Sequence, residues 1–163
     1  KILTARDAAH KKLKELADNN QPLPDGLDLK NRFIYYVGPV DPVGNEVVGP
    51  AGPTTSTRMD KYSSLMLEDY GVIGMIGKAE RGKEALESIK KNKAVYLIAV
   101  GGSAYLISQA IKSSKLIAFP ELGMEAIYEF EVKDMPVTLA ANTNGESLHE
   151  EGVRKWNAVL MKD

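Results

Sequence analysis

A run of hydroxyl side chains within residues 52–60 (Gly-Pro-Thr-Thr-Ser-Thr-Arg-Met-Asp) is the part of the sequence best suited to bind an anion. The run stands between a loop rich in glycine and proline and the predicted start of a helix. Unpaired N–H groups and the dipole at a helix N-terminus both favour negative charge. Arg58 adds a planar guanidinium that can hold a carboxylate by two parallel hydrogen bonds. A solvated Ser/Thr-rich turn is the alternative, and composition leaves both open.

Two further cations are predicted at the ends of elements. Lys78 follows a hydrophobic strand and Gly77, so its ammonium should project at the strand's carboxyl end, where α/β proteins usually bind ligands. A phosphate-binding P-loop would need glycine and Ser or Thr where the sequence has Val72 and Ala79. Arg6 lies in the first turn of a predicted helix, where the dipole disfavours a cation, which indicates a role beyond helix stability. A solvated surface position is the alternative for both cations.

Composition excludes several classes of function. The chain has 163 residues, of which 44% are hydrophobic and 26% charged, with a net charge of −1, as in ordinary globular domains. Because no basic run is interleaved with aromatic residues, we expect neither nucleic acid nor an acidic membrane surface as a partner. No apolar stretch approaches the ~20 residues that span a bilayer, and the cytoplasm is the expected location.

The chain contains no cysteine, which excludes it as the main source of ligands for an iron–sulfur cluster or a zinc–thiolate site. His10 and His149 lack ligand-like spacing, and we expect both at the surface. The sequence offers cations and hydroxyls but no nucleophile–base pair. This inventory predicts a site that binds a small di-acid, with any metal supplied from elsewhere. We also expect an upstream segment to be missing, because Lys1 is not Met and leads directly into a helix-start pattern.

Strand and helix signals alternate along the chain. Helices are predicted at residues 4–18, 60–70, 81–92 and 103–112, and strands at residues 33–37, 72–76, 94–100, 116–119, 126–132 and 137–141. This alternation predicts one α/β domain with a mainly parallel sheet, and the last strand pair suggests a second, partly antiparallel layer. The long loop at residues 38–53 is expected to be functional. The amphipathic tail around Trp156 is expected to pack on the body or on a partner.

Five segments, in this order, resemble the C-terminal domain of class I fumarate hydratases and the β subunits of two-subunit fumarate and L(+)-tartrate dehydratases. The segments are residues 4–10 (Thr-Ala-Arg-Asp-Ala-Ala-His), the Gly-Pro-Thr-Thr run with its Arg-Met-Asp, Gly77-Lys78, Gly101-Gly102, and residues 121–127 (Glu-Leu-Gly-Met-Glu-Ala-Ile). The likeness extends from residue 4 to about residue 136. Thr57 departs from members that have glycine there, which affects the expected conformation of the loop.

The resemblance implies a fold, a partner and roles for individual residues. The implied fold is a swivelling, three-layered β/β/α domain with a mainly parallel central sheet. The implied partner is an α subunit, in an α2β2 assembly, that holds a 4Fe–4S cluster on three cysteines. Thr54 is implied to take part in proton transfer. The residues implied to bind the substrate are Arg6, Thr55, Arg58 and Lys78.

Two functions are consistent with these residues. The first is the β subunit of an iron–sulfur hydro-lyase that interconverts fumarate and L-malate, or that acts on L(+)-tartrate. The second is a non-catalytic swivelling domain that binds an anion or another protein. The presence of Arg6, Thr54, Arg58 and Lys78 in family positions favours the first. Both substrates are four-carbon dicarboxylates, so the sequence does not choose between them; fumarate hydration is the commoner activity.

Overall fold

The computed structural model describes residues 1–160, which contain one mixed sheet and four α-helices. The strands are β1 (Ile2–Thr4), β2 (Phe33–Tyr35), β3 (Gly74–Gly77), β4 (Val95–Ile98), β5 (Ile111–Ala118), β6 (Ile127–Val132) and β7 (Thr138–Ala141). The helices are α1 (Asp7–Asp18), α2 (Lys83–Lys91), α3 (Ala104–Gln109) and α4 (Leu148–Leu160). No helix among residues 1–160 is long and apolar enough to cross a membrane.

The seven strands lie in the order β5-β6-β1-β2-β3-β4-β7, and the central four are parallel. The α/β class and the mainly parallel centre are therefore confirmed. The prediction of a second, partly antiparallel layer is wrong for residues 1–160. Instead, β6 pairs antiparallel with β1, and β7 pairs antiparallel with β4. Each of these strands satisfies the backbone groups that would otherwise be unpaired at the outer edge of a parallel strand.

Successive side chains of the central strands point to opposite faces of the sheet, so the core is divided between the two faces. On one face, side chains of β1 to β4 pack against α1 and α2 in a cluster that includes Leu3, Ile34, Met75, Leu13 and Ile89. On the other face, the alternate strand residues pack with α3, in a cluster that includes Tyr35, Ile76, Phe130 and Ile107. Because both faces are covered, the carboxyl ends of the parallel strands are where a ligand is expected to bind in a fold of this class.

Several predicted boundaries shift because of pairing between distant segments. The first helix begins at Asp7 rather than residue 4, since Ile2–Thr4 pairs with both β2 and β6. The helix predicted at residues 60–70 is two short pieces, a 3-10 helix at Ser56–Tyr62 and a π-helix at Leu65–Asp69. The predicted strand at residues 116–119 is the end of the eight-residue strand β5. Trp156 lies on α4 and is exposed, so its packing against a partner stays a prediction.

The prediction that His10 lies at the surface is wrong. His10 is fully buried on α1, three residues before Leu13 and on the same apolar face. Its ring centroid lies 5.4 Å from that of Tyr62 and 5.4 Å from that of Tyr36. Its Nδ1 lies 2.9 Å from the carbonyl oxygen of Arg6, so the neutral ring donates from Nδ1. Burial lowers the pKa of His10 to about 4.

This burial makes the stability of the domain depend on pH. An unfolded histidine titrates near 6.5, so between that pH and about 4 the unfolded chain binds the extra proton. Stability therefore falls as the pH drops through this window, by roughly 3 kcal/mol in all. We expect urea unfolding at about pH 7 and about pH 5 to show roughly 2 kcal/mol of this loss, above the range in which most carboxylates protonate.

Substitution separates His10 from the other titrating groups. His10→Phe keeps an aromatic ring in the core and should remove the pH dependence between these two conditions. The matched control is His149→Gln, because His149 is only partly buried on α4 and should leave the dependence unchanged. Equal slopes of stability against pH in the wild type and in His10→Phe would contradict the assignment.

Candidate anion-binding site

The carboxyl ends of β1 to β4 meet at one edge of the sheet, here called the carboxyl edge. Arg6 follows β1, Lys78 follows β3 directly, and Gly101 comes shortly after β4. A side-chain Cβ added at Gly38, which follows β2, would lie 3.1 Å from Cδ of Arg6. One added at Gly101 would lie 3.6 Å from Cδ of Lys78. The parallel sheet therefore places the four segments that follow β1 to β4 side by side.

Backbone hydrogen bonds hold the hydroxyl run, residues 54–57, along this edge. Thr54 N–H donates to the carbonyl of Tyr36 at 2.7 Å, just beyond β2. Thr55 forms an isolated parallel bridge with Lys78. Ser56 N–H donates to the Lys78 carbonyl at 3.1 Å, and Lys78 N–H donates to Ser56 Oγ at 3.1 Å. The run is therefore joined to the turns that follow both β2 and β3.

The predicted helix N-terminus at the hydroxyl run is a 3-10 helix of seven residues, Ser56–Tyr62. The residue before it, Thr55, makes no capping hydrogen bond through its side chain. Because so short a helix aligns few peptide dipoles, its N-terminus contributes little to anion binding. The capacity to bind an anion therefore depends mainly on the cationic side chains around the run.

The guanidinium of Arg58 already makes a two-point ion pair within the protein. Its Nε and Nη2 donate to the two carboxylate oxygens of Asp7 at 2.9 Å and 2.8 Å. Nη2 also donates to Oγ1 of Thr54 at 2.9 Å. Partial burial acts to raise the pKa of Asp7, but the hydrogen bonds from Arg58 bring it below its usual value. The two parallel hydrogen bonds that the sequence suggested for a bound carboxylate are thus made to Asp7. Sequence reasoning did not identify Asp7 as the partner of Arg58.

Arg6 stands at the N-cap position of α1, one residue before the helix. Its Nε lies 3.3 Å from Oδ2 of Asp7 and 3.3 Å from Oε1 of Glu125. The other oxygen of Glu125 accepts a hydrogen bond from Ala8 N–H at 2.7 Å, which caps the helix. Glu125 therefore offsets the unfavourable position of Arg6 relative to the helix dipole. Glu125, which lies within the resembling segment at residues 121–127, is half-buried and part of this site.

The carboxyl edge keeps an excess of positive charge. Arg6, Arg58 and Lys78 are three cations, and Asp7 and Glu125 are the two carboxylates that pair with them. Among residues 1–160, the Lys78 ammonium makes no salt bridge or hydrogen bond, and Nη1 of Arg58 and the two Nη atoms of Arg6 make no hydrogen bond. These free donors and the net charge suit a ligand that carries two negative charges.

The site is an open edge rather than a closed pocket. A cleft of about 530 Å³ between β7 and α4, lined by residues such as Asn142, Glu150 and Arg154, lies elsewhere in the described chain. Thr54, Lys78 and Arg6 are half-buried, and Arg58 is exposed. A small-molecule site usually buries most of its ligand. A ligand bound here would therefore need a second surface to cover it.

The chain does not have the ligands that an iron–sulfur cluster requires. Such clusters are held mainly by cysteine thiolates, and the sequence has none. Within the described part of the chain, no group of three or more His, Asp or Glu side chains is arranged to hold a metal ion. A 4Fe–4S cluster therefore does not fit the residues of this chain.

The order of the motifs along the chain is that of a domain of the fumarase type. The Fumarase C-terminus family matches residues 1–152, and the chain belongs to that family. The resemblance based on the five segments is thus confirmed.

Among similar proteins is fumarate hydratase class I, anaerobic, of Escherichia coli (strain K12), 38% identical over 162 residues, which are 99% of this chain and 29% of that protein. Fumarate hydratase 2 of Leishmania major is 37% identical over 151 residues, which are 92% of this chain and 26% of that protein. The putative L(+)-tartrate dehydratase subunit beta of Methanocaldococcus jannaschii is 37% identical over 160 residues, which are 95% of this chain and 81% of that protein. The chain thus spans less than a third of these two fumarate hydratases, but most of the tartrate dehydratase subunit.

Proposed function

We propose that this chain is the β subunit, or the corresponding domain, of an iron–sulfur hydro-lyase that interconverts fumarate and L-malate. The observation that carries the proposal is the convergence of Arg6, Thr54, Arg58 and Lys78 on the carboxyl edge, where cationic donors are left unpaired. The names of the similar fumarate hydratases support the reaction class.

Each residue has a separate task in this proposal. Lys78 and Arg6 bind the two carboxylates of the substrate through charge-assisted hydrogen bonds. Thr55 adds a hydroxyl beside Lys78, to which it is bridged. Thr54 transfers a proton at the substrate carbon, and Arg58 donates a hydrogen bond to its hydroxyl oxygen. Arg58 also binds substrate carboxylate through Nη1, the nitrogen that Asp7 does not engage.

A partner subunit completes the site. The open carboxyl edge needs a covering surface, and the cluster that the resemblance implies needs cysteine ligands that this chain lacks. We propose that one partner, the α subunit, supplies both. The α2β2 stoichiometry, the swivelling character of the domain and a cytoplasmic location stay predictions. The implied three-layered β/β/α arrangement does not, because residues 1–160 contain one seven-stranded sheet rather than two β layers.

L(+)-tartrate dehydration is the second candidate function. It is favoured by one observation, since the similar tartrate dehydratase subunit is covered over 81% of its own length by this chain. The fumarate hydratases are covered over less than a third of theirs. Tartrate is also a four-carbon dicarboxylate, so the same cations would bind it.

Anaerobic co-expression with a cluster-bearing α subunit tests the proposal. We expect the assembled enzyme to form fumarate from L-malate, or to dehydrate L(+)-tartrate, and the chain purified alone to do neither. The reason is that the chain lacks the cysteine ligands and the covering surface that the proposal assigns to the partner. Turnover by the chain alone, well above background, would contradict the division of labour. An assembled, cluster-loaded enzyme inactive with both substrates would favour a non-catalytic binding domain.

A further inference from the structure

Two buried hydroxyls lie directly beneath the turn that carries Lys78. Ser56 and Tyr96 are both buried, and Tyr96 Oη lies 2.8 Å from Ser56 Oγ and 2.8 Å from the carbonyl oxygen of Ala79. Ser56 Oγ in turn accepts the hydrogen bond from Lys78 N–H at 3.1 Å. The four groups therefore form a closed chain of contacts around the turn at residues 77–79.

The donors and acceptors permit one consistent assignment of the hydrogens. The carbonyl of Ala79 is only an acceptor, so the single hydrogen of Tyr96 is donated to it. Ser56 must then donate its own hydrogen to Tyr96 Oη and accept from Lys78 N–H. Burial raises the pKa of Tyr96 to about 12, so this hydrogen is present throughout the ordinary pH range. Bonds arranged head to tail in this way strengthen one another.

The turn itself needs this support. Ala79 adopts a left-handed backbone conformation with φ of 63°, which is unfavourable for a residue with a side chain. Such a conformation persists only where surrounding contacts hold it. A Cβ at Gly77 would lie 1.9 Å from Ser56 Oγ, so the turn packs directly on the serine hydroxyl. The geometry of Lys78 is therefore set by Ser56 and Tyr96.

We infer that Ser56 and Tyr96 are positioning residues that hold Lys78 at the carboxyl edge so that its ammonium meets one substrate carboxylate. This inference rests on the proposed function. Neither hydroxyl touches the substrate, because both are buried and bonded within the turn. Their effect is on the placement of Lys78 rather than on the proton transfer at Thr54.

The test uses the assembled, cluster-loaded enzyme and the substrate it turns over. Loss of one buried hydroxyl should loosen the turn, and we expect Tyr96→Phe to raise KM about tenfold with kcat little changed. Ser56→Ala should do the same. Because both hydroxyls act through one chain of bonds, the double variant should be no worse than the more severe single variant, whereas independent effects would multiply to about 100-fold.

Tyr70→Phe is the matched control. Tyr70 also donates its hydroxyl to a main-chain carbonyl, that of Leu13 at 2.9 Å, but it precedes β3 and so lies at the opposite edge of the sheet. It should lower Tm without changing KM. The inference would be overturned if Tyr96→Phe and Ser56→Ala had the same KM as Tyr70→Phe. It would also be overturned if the KM increase of the double variant were the product of the two single increases. Wild-type enzyme inactive with both substrates would instead overturn the proposed function; if Tyr96→Phe does not fold, Ser56→Ala decides alone.

Discussion

Thr54→Val should lower kcat of the assembled enzyme by about 100-fold with little change in KM, the usual scale for loss of a general acid–base group. Valine keeps nearly the same shape and removes only the hydroxyl. The ion pair between Arg58 and Asp7 makes two hydrogen bonds that do not involve Thr54, so Arg58 should stay in place. Lys78 and Arg6 make no hydrogen bond to the Thr54 hydroxyl, so their binding of the carboxylates should also survive. Steady-state kinetics of the cluster-loaded enzyme measure the effect.

Two variants make this result specific to the Thr54 hydroxyl. Thr54→Ser keeps the hydroxyl and should recover most of the activity. Thr57→Val removes a hydroxyl three residues further along, at an exposed position of the 3-10 helix that follows Thr54, and should leave kcat unchanged. If Thr54 only stabilises the loop, Thr54→Val will lower Tm and leave kcat nearly intact, and the proton-transfer role would then be rejected.

The sequence predicts the fold class because β3 and β4 are short apolar runs, each followed by a helix signal. It does not predict that one sheet contains all seven strands. Leu3 of β1 pairs with Ile34 on one side and with Glu129 on the other, more than a hundred residues away. A three-residue strand has no measurable periodicity, and its partners are chosen by long-range packing. For the same reason the first helix was predicted to begin three residues too early.

In the candidate site, too, contacts between residues far apart in the chain were not predictable from the sequence. The resemblance implies that Arg6, Arg58 and Lys78 bind one substrate together, although the residues alone place only Lys78 at a strand's carboxyl end. It does not reveal that Asp7 and Glu125 neutralise two of these cations, because those ion pairs join residues far apart in the chain. The roles of Ser56 and Tyr96 were missed because a serine in a turn and a tyrosine in a strand are typical of ordinary structure.

We expect Arg81→Met to destabilise the domain by about 3–5 kcal/mol, because it breaks a buried ion pair with Asp60. The Arg81 side chain is fully buried, and its Nε lies 2.5 Å from Oδ1 of Asp60. Its Nη2 donates to Ser63 Oγ at 2.8 Å. The guanidinium carbon lies 5.6 Å from the ring centroid of Tyr36 and 5.0 Å from that of Tyr96. Removal of Arg81 leaves the largely buried Asp60 carboxylate without its counter-ion, and urea unfolding measures the loss.

Arg32→Met is the matched control, because Arg32 pairs with Glu129 at 2.5 Å but remains partly exposed and should cost about 1 kcal/mol or less. Asp60→Asn combined with Arg81→Met should recover part of the loss, since Asn removes the stranded charge and can still accept the hydrogen bond from Gly82 N–H. Equal losses for Arg81→Met and Arg32→Met would contradict a special contribution of the buried pair.

The guanidinium of Arg81 also packs on Tyr96, which supports the turn that carries Lys78. Loss of Arg81 should therefore raise KM as well, so the core and the carboxyl edge are energetically coupled.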